Sequence, residues 1–194
     1  MRRTAAHNGV LVEVAAQHPL VDGRFPNREF EARLQAGFEL YRSIRPSNRI
    51  EIYVPGSRHR HEGRDDEISL SAAGTAYLVD LGVPKAAIRG DDLNRRYTGD
   101  DGVYGSQAEC YVAARYYKDA GFGRFRSVVS PFQATRKLLH YIQYGVLPDI
   151  VSVQVDEPFH NLIDEVFVDI PRALRSVDET PLWQSDVYDD RRPD

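Results

Sequence analysis

The 194-residue chain contains very little cysteine, methionine or tryptophan, with one residue of each. A single cysteine, Cys110, excludes an internal disulfide framework and is compatible with a reducing compartment. Because Cys110 falls inside a helical pattern, we expect a buried structural thiol rather than a nucleophile.

The sequence also lacks a long apolar run and an excess of basic charge. No run approaches the roughly 20 apolar residues that span a bilayer. The first apolar segment is short and interrupted by Glu13, so a signal peptide is not expected. The formal net charge is −4, whereas nucleic-acid-binding domains usually present a basic face. We therefore expect a cytoplasmic protein with no membrane partner and no nucleic-acid partner.

Several common catalytic motifs are absent. The chain has no G-x-S-x-G elbow, no Walker loop, no G-x-G-x-x-G turn and no H-E-x-x-H zinc motif. The sequence therefore offers no single motif from which a reaction can be named.

What the chain does have is an alternation of short apolar runs with segments of helical periodicity. The predicted strands are Val10–Ala15, Arg49–Val54, Ala87–Arg89, Phe125–Ser130 and Ile150–Val155. The predicted helices are Asn27–Arg45, Ser69–Leu81, Ser106–Ala120, Gln133–Tyr144 and Asn161–Leu174. Such an order predicts a parallel sheet with helices on both faces. We expect one α/β domain over 1–175, a long polar loop over Asp91–Gly102, and a loosely packed acidic tail over 176–194.

The strongest candidate site lies where the strand ending at Ser130 opens the next helix. Ser130 can cap that helix, Gln133 can hydrogen-bond a ligand from its first turn, and Arg136 offers a fork suited to carboxylate or phosphate. Ligands bind at this edge of open α/β sheets. The alternative is a capped helix whose arginine is merely solvated.

A second candidate is the charged loop from Gly56 and Ser57 to Glu67, which follows the second strand and should lie at the same edge. It could close over an anionic ligand, or it could be a solvated loop. His59 and His61 with nearby acidic residues could instead ligate a metal. They lack a credible four-ligand set, so no metal is expected.

Two further segments supply candidates. His160, near the start of the last helix, is a candidate for proton transfer, and Glu165 could orient a ligand group. Arg33 on the first helix is either an anion clamp that reaches back over strand one or an exposed helix cation.

Several ordered pieces of the chain resemble the YdcF-like family, which includes the envelope-associated SanA and ElyC groups. They are Arg33-Leu34 on a helix after a strand, Val54-Pro55-Gly56 (Ser-Gly-Gly in the family), Glu67 before a helix, Gly82-Val83-Pro84 before a strand, Ala108-Glu109 (Thr-x-Glu-Asn-Ala), and Ser130 to Arg136 (Thr-Ser-x-x-His-x-x-Arg). The resemblance runs from Val10 to Leu174. Gln133 stands where the family usually has His, and Pro55 alters the glycine turn.

The resemblance implies a three-layer α/β/α sandwich with a mainly parallel, Rossmann-like sheet. It also implies a functional Glu109 and, because the founding group has been reported to bind it, S-adenosylmethionine as a cofactor candidate. Many relatives carry membrane anchors, whereas none is expected from this sequence.

The leading hypothesis is an enzyme, a transferase or hydrolase, that acts on a nucleotide-like or S-adenosylmethionine-like anionic small molecule. Positioning and electrostatic stabilisation would supply most of the catalysis. The predicted catalytic residues are His160, Glu165 and Glu109, and the predicted ligand-binding residues are Arg33, Gly56, Ser57, Glu67, Ser130, Gln133 and Arg136. One alternative is a non-catalytic ligand-binding or regulatory protein linked to metabolism or the cell envelope. Another, which depends on His59 and His61, is a metal-dependent hydrolase.

Overall fold

The computed structural model describes residues 9–17, 19–46, 48–58, 60–61, 64–99, 103, 105–155, 166, 168 and 170–175, with the backbone alone for 60, 61, 64, 65, 172 and 175. The strands are β1 (Val10–Val14), β2 (Ile50–Tyr53), β3 (Arg60–His61), β4 (Arg64–Asp65), β5 (Ile88–Arg89), β6 (Arg124–Val129) and β7 (Asp149–Ser152). The α-helices are α1 (Arg28–Ile44), α2 (Leu70–Asp80), α3 (Asp91–Thr98), α4 (Gly105–Asp119), α5 (Pro131–Gln143) and α6 (Ile170–Arg175).

Five strands form a parallel sheet in the order β5-β2-β1-β6-β7. The chain moves outward from β1 to β2 and β5, then returns to the other side of β1 with β6 and β7. The direction of winding therefore reverses between β1 and β6. A crevice opens at such a switch point, outside the carboxyl ends of the two strands.

Helices cover both faces of the sheet. Val10, Val12 and Val14 pack into a core with Leu34 on the face of α1 and α2. Leu11, by contrast, packs into a second core on the face of α4 and α5, because successive strand residues point to opposite faces. The architecture is the expected three-layer, Rossmann-like α/β/α sandwich with its two cores separated by the sheet.

All five predicted strands are confirmed, with ends that differ by only a few residues from the prediction, and their carboxyl ends share one edge. The predicted loop Asp91–Gly102 is wrong, because α3 occupies most of it. Two aspartates in the first turn suit the positive end of the helix dipole, and Leu93 and Asn94 are buried. The charged loop after β2 also contains regular structure, because the two-residue strands β3 and β4 pair there in antiparallel orientation.

Only the end of the predicted helix Asn161–Leu174 is described, as α6, and the predicted acidic tail lies outside the described residues. Among the described helices, none is both long enough and apolar enough to cross a membrane.

Helix α1 lies directly on β1 because a glycine faces the strand. A Cβ atom added to Gly37 would stand 2.6 Å from Cγ2 of Val14, well inside contact distance. The glycine thus sets how closely α1 approaches the sheet, and with it the position of Arg33, one helical turn earlier.

We expect Gly37→Ala to destabilise the fold by about 1–3 kcal/mol through overpacking, although alanine favours an exposed helix by about 1 kcal/mol. Urea denaturation followed by circular dichroism measures the change in the free energy of unfolding.

Val14→Ala serves as the partner substitution, since it removes the Cγ2 atom that the new methyl group would meet. The double variant should lose about 0.5–3 kcal/mol less than the sum of the two single losses. Additive losses would mean that this close approach does not control the packing.

Candidate functional site

A group of polar side chains lies at the crevice between the carboxyl ends of β1 and β6. Helix α1 supplies two of them, the segment after β1 one, and the start of α5 the others. We call this group the edge cluster; it consists of Gln17, Glu29, Arg33, Ser130 and Gln133.

Arg33 is the centre of the edge cluster and is fully buried. Its Nε donates to Oγ of Ser130 at 2.9 Å, and its Nη1 donates to the carbonyls of Ala15 at 3.2 Å and Ala16 at 3.1 Å. Its Nη2 forms an ion pair with Glu29. The guanidinium therefore reaches back over the end of β1, and the alternative of an exposed helix cation is wrong.

Ser130 is the N-cap residue of α5, yet its side chain makes no capping hydrogen bond, contrary to the prediction. Its Oγ instead accepts from Arg33 and donates to Oε1 of Glu29 at 2.9 Å. The first turn of α5 is consequently left without a side-chain cap, at the positive end of the helix dipole.

Gln133 lies in that first turn and is only 8% exposed. Its Nε2 donates to Oε1 of Gln17 at 3.2 Å, so the side chain spans the crevice between the two strands. Its Oε1 is buried with no hydrogen-bond partner among the described residues. A buried acceptor in this state carries a free-energy cost that a donor from a bound molecule would remove.

A second polar group lies beneath the edge, on the face of α4 and α5. We call it the acid–lysine triad: Nζ of Lys137 is 2.5 Å from Oε1 of Glu13 and 2.5 Å from Oε2 of Glu109. Ser127, beside Glu13 on β6, donates to the other oxygen of that carboxylate. Burial alone would lower the pKa of Lys137, but the two carboxylates outweigh it and raise that pKa above its usual value.

Glu109 is the member of the triad closest to the surface. Its side chain is 9% exposed, against 1% for Lys137 and 0% for Glu13. Lys137 follows Gln133 by one helical turn on α5, a rise of about 6 Å. The structure therefore places the predicted Glu109 against a lysine one helical turn from Gln133, with one oxygen held by its ammonium group.

Four of these residues were not singled out from the sequence as site residues: Glu13, Gln17, Glu29 and Lys137. One signal was visible, because Glu13 is the charged residue in an otherwise apolar strand. Another was the i,i+4 spacing of Glu29 and Arg33, a pattern that favours ion pairs on helices. For Gln17 and Lys137 the sequence offers no such signal.

Gly56 and Ser57 lie at the same edge, beyond β2, as predicted. Gly56 has a φ of +102°, and a Cβ there would meet Cβ of Leu70 at 2.9 Å. Ser57 exchanges hydrogen bonds with the backbone of Val103, at 3.0 Å from its own amide and 2.5 Å to its Oγ. The pair thus fixes the loop after β2 to the segment before α4.

The remaining predicted residues are not members of the edge cluster as defined above, or cannot be placed. Glu67 forms an ion pair with Arg24 and is exposed. Arg136 lies half-buried on α5. His59, His160 and Glu165 lie outside the described residues, and within the described part no group of three or more His, Cys, Asp or Glu side chains could hold a metal.

Cys110 is buried in α4, as expected for a structural thiol. Burial raises the pKa of its thiol well above the usual value, and the charge of nearby Lys137 offsets only part of this effect. A neutral, inaccessible thiol is a poor nucleophile.

His140 is buried on α5. Burial, followed by the charges of Arg136 and Lys137, lowers its pKa from 6.5 to about 4. His140 is therefore neutral in the folded protein at neutral pH.

We expect Lys137→Met to destabilise the fold by about 3–5 kcal/mol, because it leaves two buried carboxylates without their cation. Urea denaturation measures the loss. Glu13→Gln and Glu109→Gln added to Lys137→Met should recover much of it, since no uncompensated charge then remains. A loss below about 1 kcal/mol in the single variant would show that the triad is not a coupled charge network.

The lowered pKa of His140 predicts a pH-dependent stability. The unfolded chain binds the proton first as the pH falls, so stability that is fully present above about pH 6.5 is lost as the pH falls towards about 4. This loss amounts to roughly 3 kcal/mol.

His140→Gln, which cannot titrate, is the matched variant for this effect. The difference between the unfolding free energies of wild type and variant should change across this pH interval by that amount. Parallel pH profiles for the two proteins would contradict the assignment.

Comparison with known proteins matched this chain to no family model, no curated protein and no solved structure. The resemblance to the YdcF-like family accordingly stays a prediction from the sequence motifs, and the function has to be argued from the geometry.

Proposed function

We propose that the chain is an enzyme that binds an anionic, nucleotide-like or S-adenosylmethionine-like small molecule in the crevice between β1 and β6. The observation that carries this proposal is the position of the edge cluster at the topological switch point. Open α/β sheets bind their ligands at this place, because the chains leaving the two strands diverge to opposite faces.

The start of α5 favours a ligand that carries an anionic group. Its first turn has no side-chain cap and begins with Pro131, which has no N–H, while the amide of Gln133 donates to the carbonyl of Ser130. The positive dipole end and the amide of Phe132 can therefore bind a carboxylate or phosphate. Arg136, in the second turn of the same helix, would add a charge-assisted hydrogen bond.

Gln133 favours a ligand that carries a hydrogen-bond donor next to its anionic group. Its buried Oε1 has no partner among the described residues. A phosphate beside a hydroxyl, as in a nucleotide, or a carboxylate beside an ammonium, as in S-adenosylmethionine, would place an anion at the helix start and a donor at this oxygen.

Glu109 is the residue that favours catalytic turnover of the ligand over binding alone. A carboxylate that a buried lysine fixes, on the most exposed side chain of the triad, is suited to accept or orient a proton. His160 and Glu165 remain predicted partners in this role from the sequence.

A ligand-binding protein without turnover is the second candidate. The ion pair between Arg33 and Glu29 favours this second candidate, because Glu29 already neutralises the cation that could otherwise stabilise charge in a reaction.

We expect a thermal-shift panel of nucleotides, S-adenosylmethionine and sugar phosphates to contain a compound that raises the melting temperature, since a ligand that binds only the native state stabilises it. Product analysis after incubation with that compound separates the enzyme from the binding protein. No shift with any anionic compound would contradict the proposed site.

For a compound that binds, Arg136→Ala should weaken affinity by about 1.5–3 kcal/mol, the range for a hydrogen bond to a charged group. Arg124→Ala is the matched control, because Arg124 is exposed at the opposite, amino edge of the sheet. Calorimetry measures both. Equal losses in the two variants would indicate a general charge effect and no specific contact.

A further inference from the structure

We propose that Arg33 and Ser130 form an oxyanion site that Glu29 occupies when no ligand is bound, and that the anionic group of the ligand exchanges with the Glu29 carboxylate. This inference rests on the proposed function for its ligand but not for its geometry. It assigns Glu29 as the residue that sets the specificity for an oxyanion.

The first argument is the geometry of the contacts. Oε1 of Glu29 receives both Nη2 of Arg33 and the hydroxyl of Ser130, which donates at 2.9 Å. One carboxylate oxygen thus receives two donors from different elements, α1 and the end of β6. A phosphate or carboxylate oxygen can receive the same two donors.

The second argument is charge. The guanidinium of Arg33 is fully buried, and an ionised group in the interior requires a counter-charge. A ligand anion that replaces Glu29 keeps the site neutral, so the exchange leaves no buried cation uncompensated.

The third argument is that the carboxylate is more exposed to solvent than the cation. Glu29 lies in the first turn of α1 with its side chain 16% exposed, whereas the side chain of Arg33 is 0% exposed. Glu29 can rotate into solvent without unfolding the helix. Arg33 cannot leave, because two carbonyls beyond β1 also hold it.

The test uses inorganic phosphate alone and Glu29→Gln, which removes the internal anion but keeps the shape of the side chain. Phosphate at about ten times its Kd should raise the melting temperature of this variant by about 3–6 °C relative to chloride at equal ionic strength. Wild type should show a clearly smaller shift, because Glu29 competes.

Glu31→Gln is the matched control, since Glu31 is the other acidic residue in the first turn of α1. It changes the charge by the same amount and should behave as wild type. Adding Ser130→Ala to Glu29→Gln removes one donor and should abolish at least half of the shift.

An acetate arm distinguishes the two ligand chemistries. A larger shift with phosphate assigns the site to a phosphoryl group, and a larger shift with acetate assigns it to a carboxylate. If Glu29→Gln is unfolded without anion, the folded fraction recovered with either anion, measured by circular dichroism, replaces the melting temperature.

The proposal is overturned if neither anion stabilises Glu29→Gln beyond Glu31→Gln, or if the double variant keeps the whole shift. Such a failure would not change the result of the thermal-shift panel on wild type. Conversely, if no compound in that panel binds wild type but phosphate stabilises Glu29→Gln, the proposed function is contradicted and the oxyanion site is retained.

Discussion

The buried guanidinium of Arg33 is the interaction on which the candidate site depends. At the switch point the chain leaves β1 for one face of the sheet and β6 for the other, so the carbonyls of Ala15 and Ala16 lack a neighbouring strand to pair with. Arg33 donates to both carbonyls and to Ser130. Because Ser130 is thereby engaged, its side chain does not cap α5. One residue thus closes the sheet edge and leaves the start of the helix without a side-chain cap.

The acid–lysine triad places a second ionic network in the opposite layer. With both carboxylates ionised its net charge is −1, in a part of the core where a well-packed apolar group would usually be at least as stable. Stability is therefore a weak explanation for it. A better one is positional: Lys137 fixes Glu109 on α4 relative to α5, the helix whose start is the proposed ligand site. The cost of burial then serves to hold a carboxylate beside that site.

The fold was largely predictable from the sequence, and the site only in part. Apolar strands alternating with amphipathic helices are local patterns, so β1, β2, β6 and β7 were found. Helix α3 was missed because its eight residues are mostly polar and its burial depends on tertiary contact. The contact between Lys137 and Glu13 joins residues 124 positions apart. No local pattern encodes such a pair, whereas Ser130 and Gln133 follow a strand directly and could be identified from that position alone.

The two networks together constrain how a ligand would be oriented. The pairing of Arg33 with Glu29 is neutral, and the triad is negative, so neither attracts an anion as it stands. The uncapped start of α5 can supply such an attraction, together with Arg136. The carboxylate of Glu109 on α4 is held by Lys137, one turn further along α5, and repels an anion placed beside it. The anionic end of a ligand would therefore point to the first turn of α5, and its donor or cationic end would face Gln133 and Glu109, where proton transfer would take place.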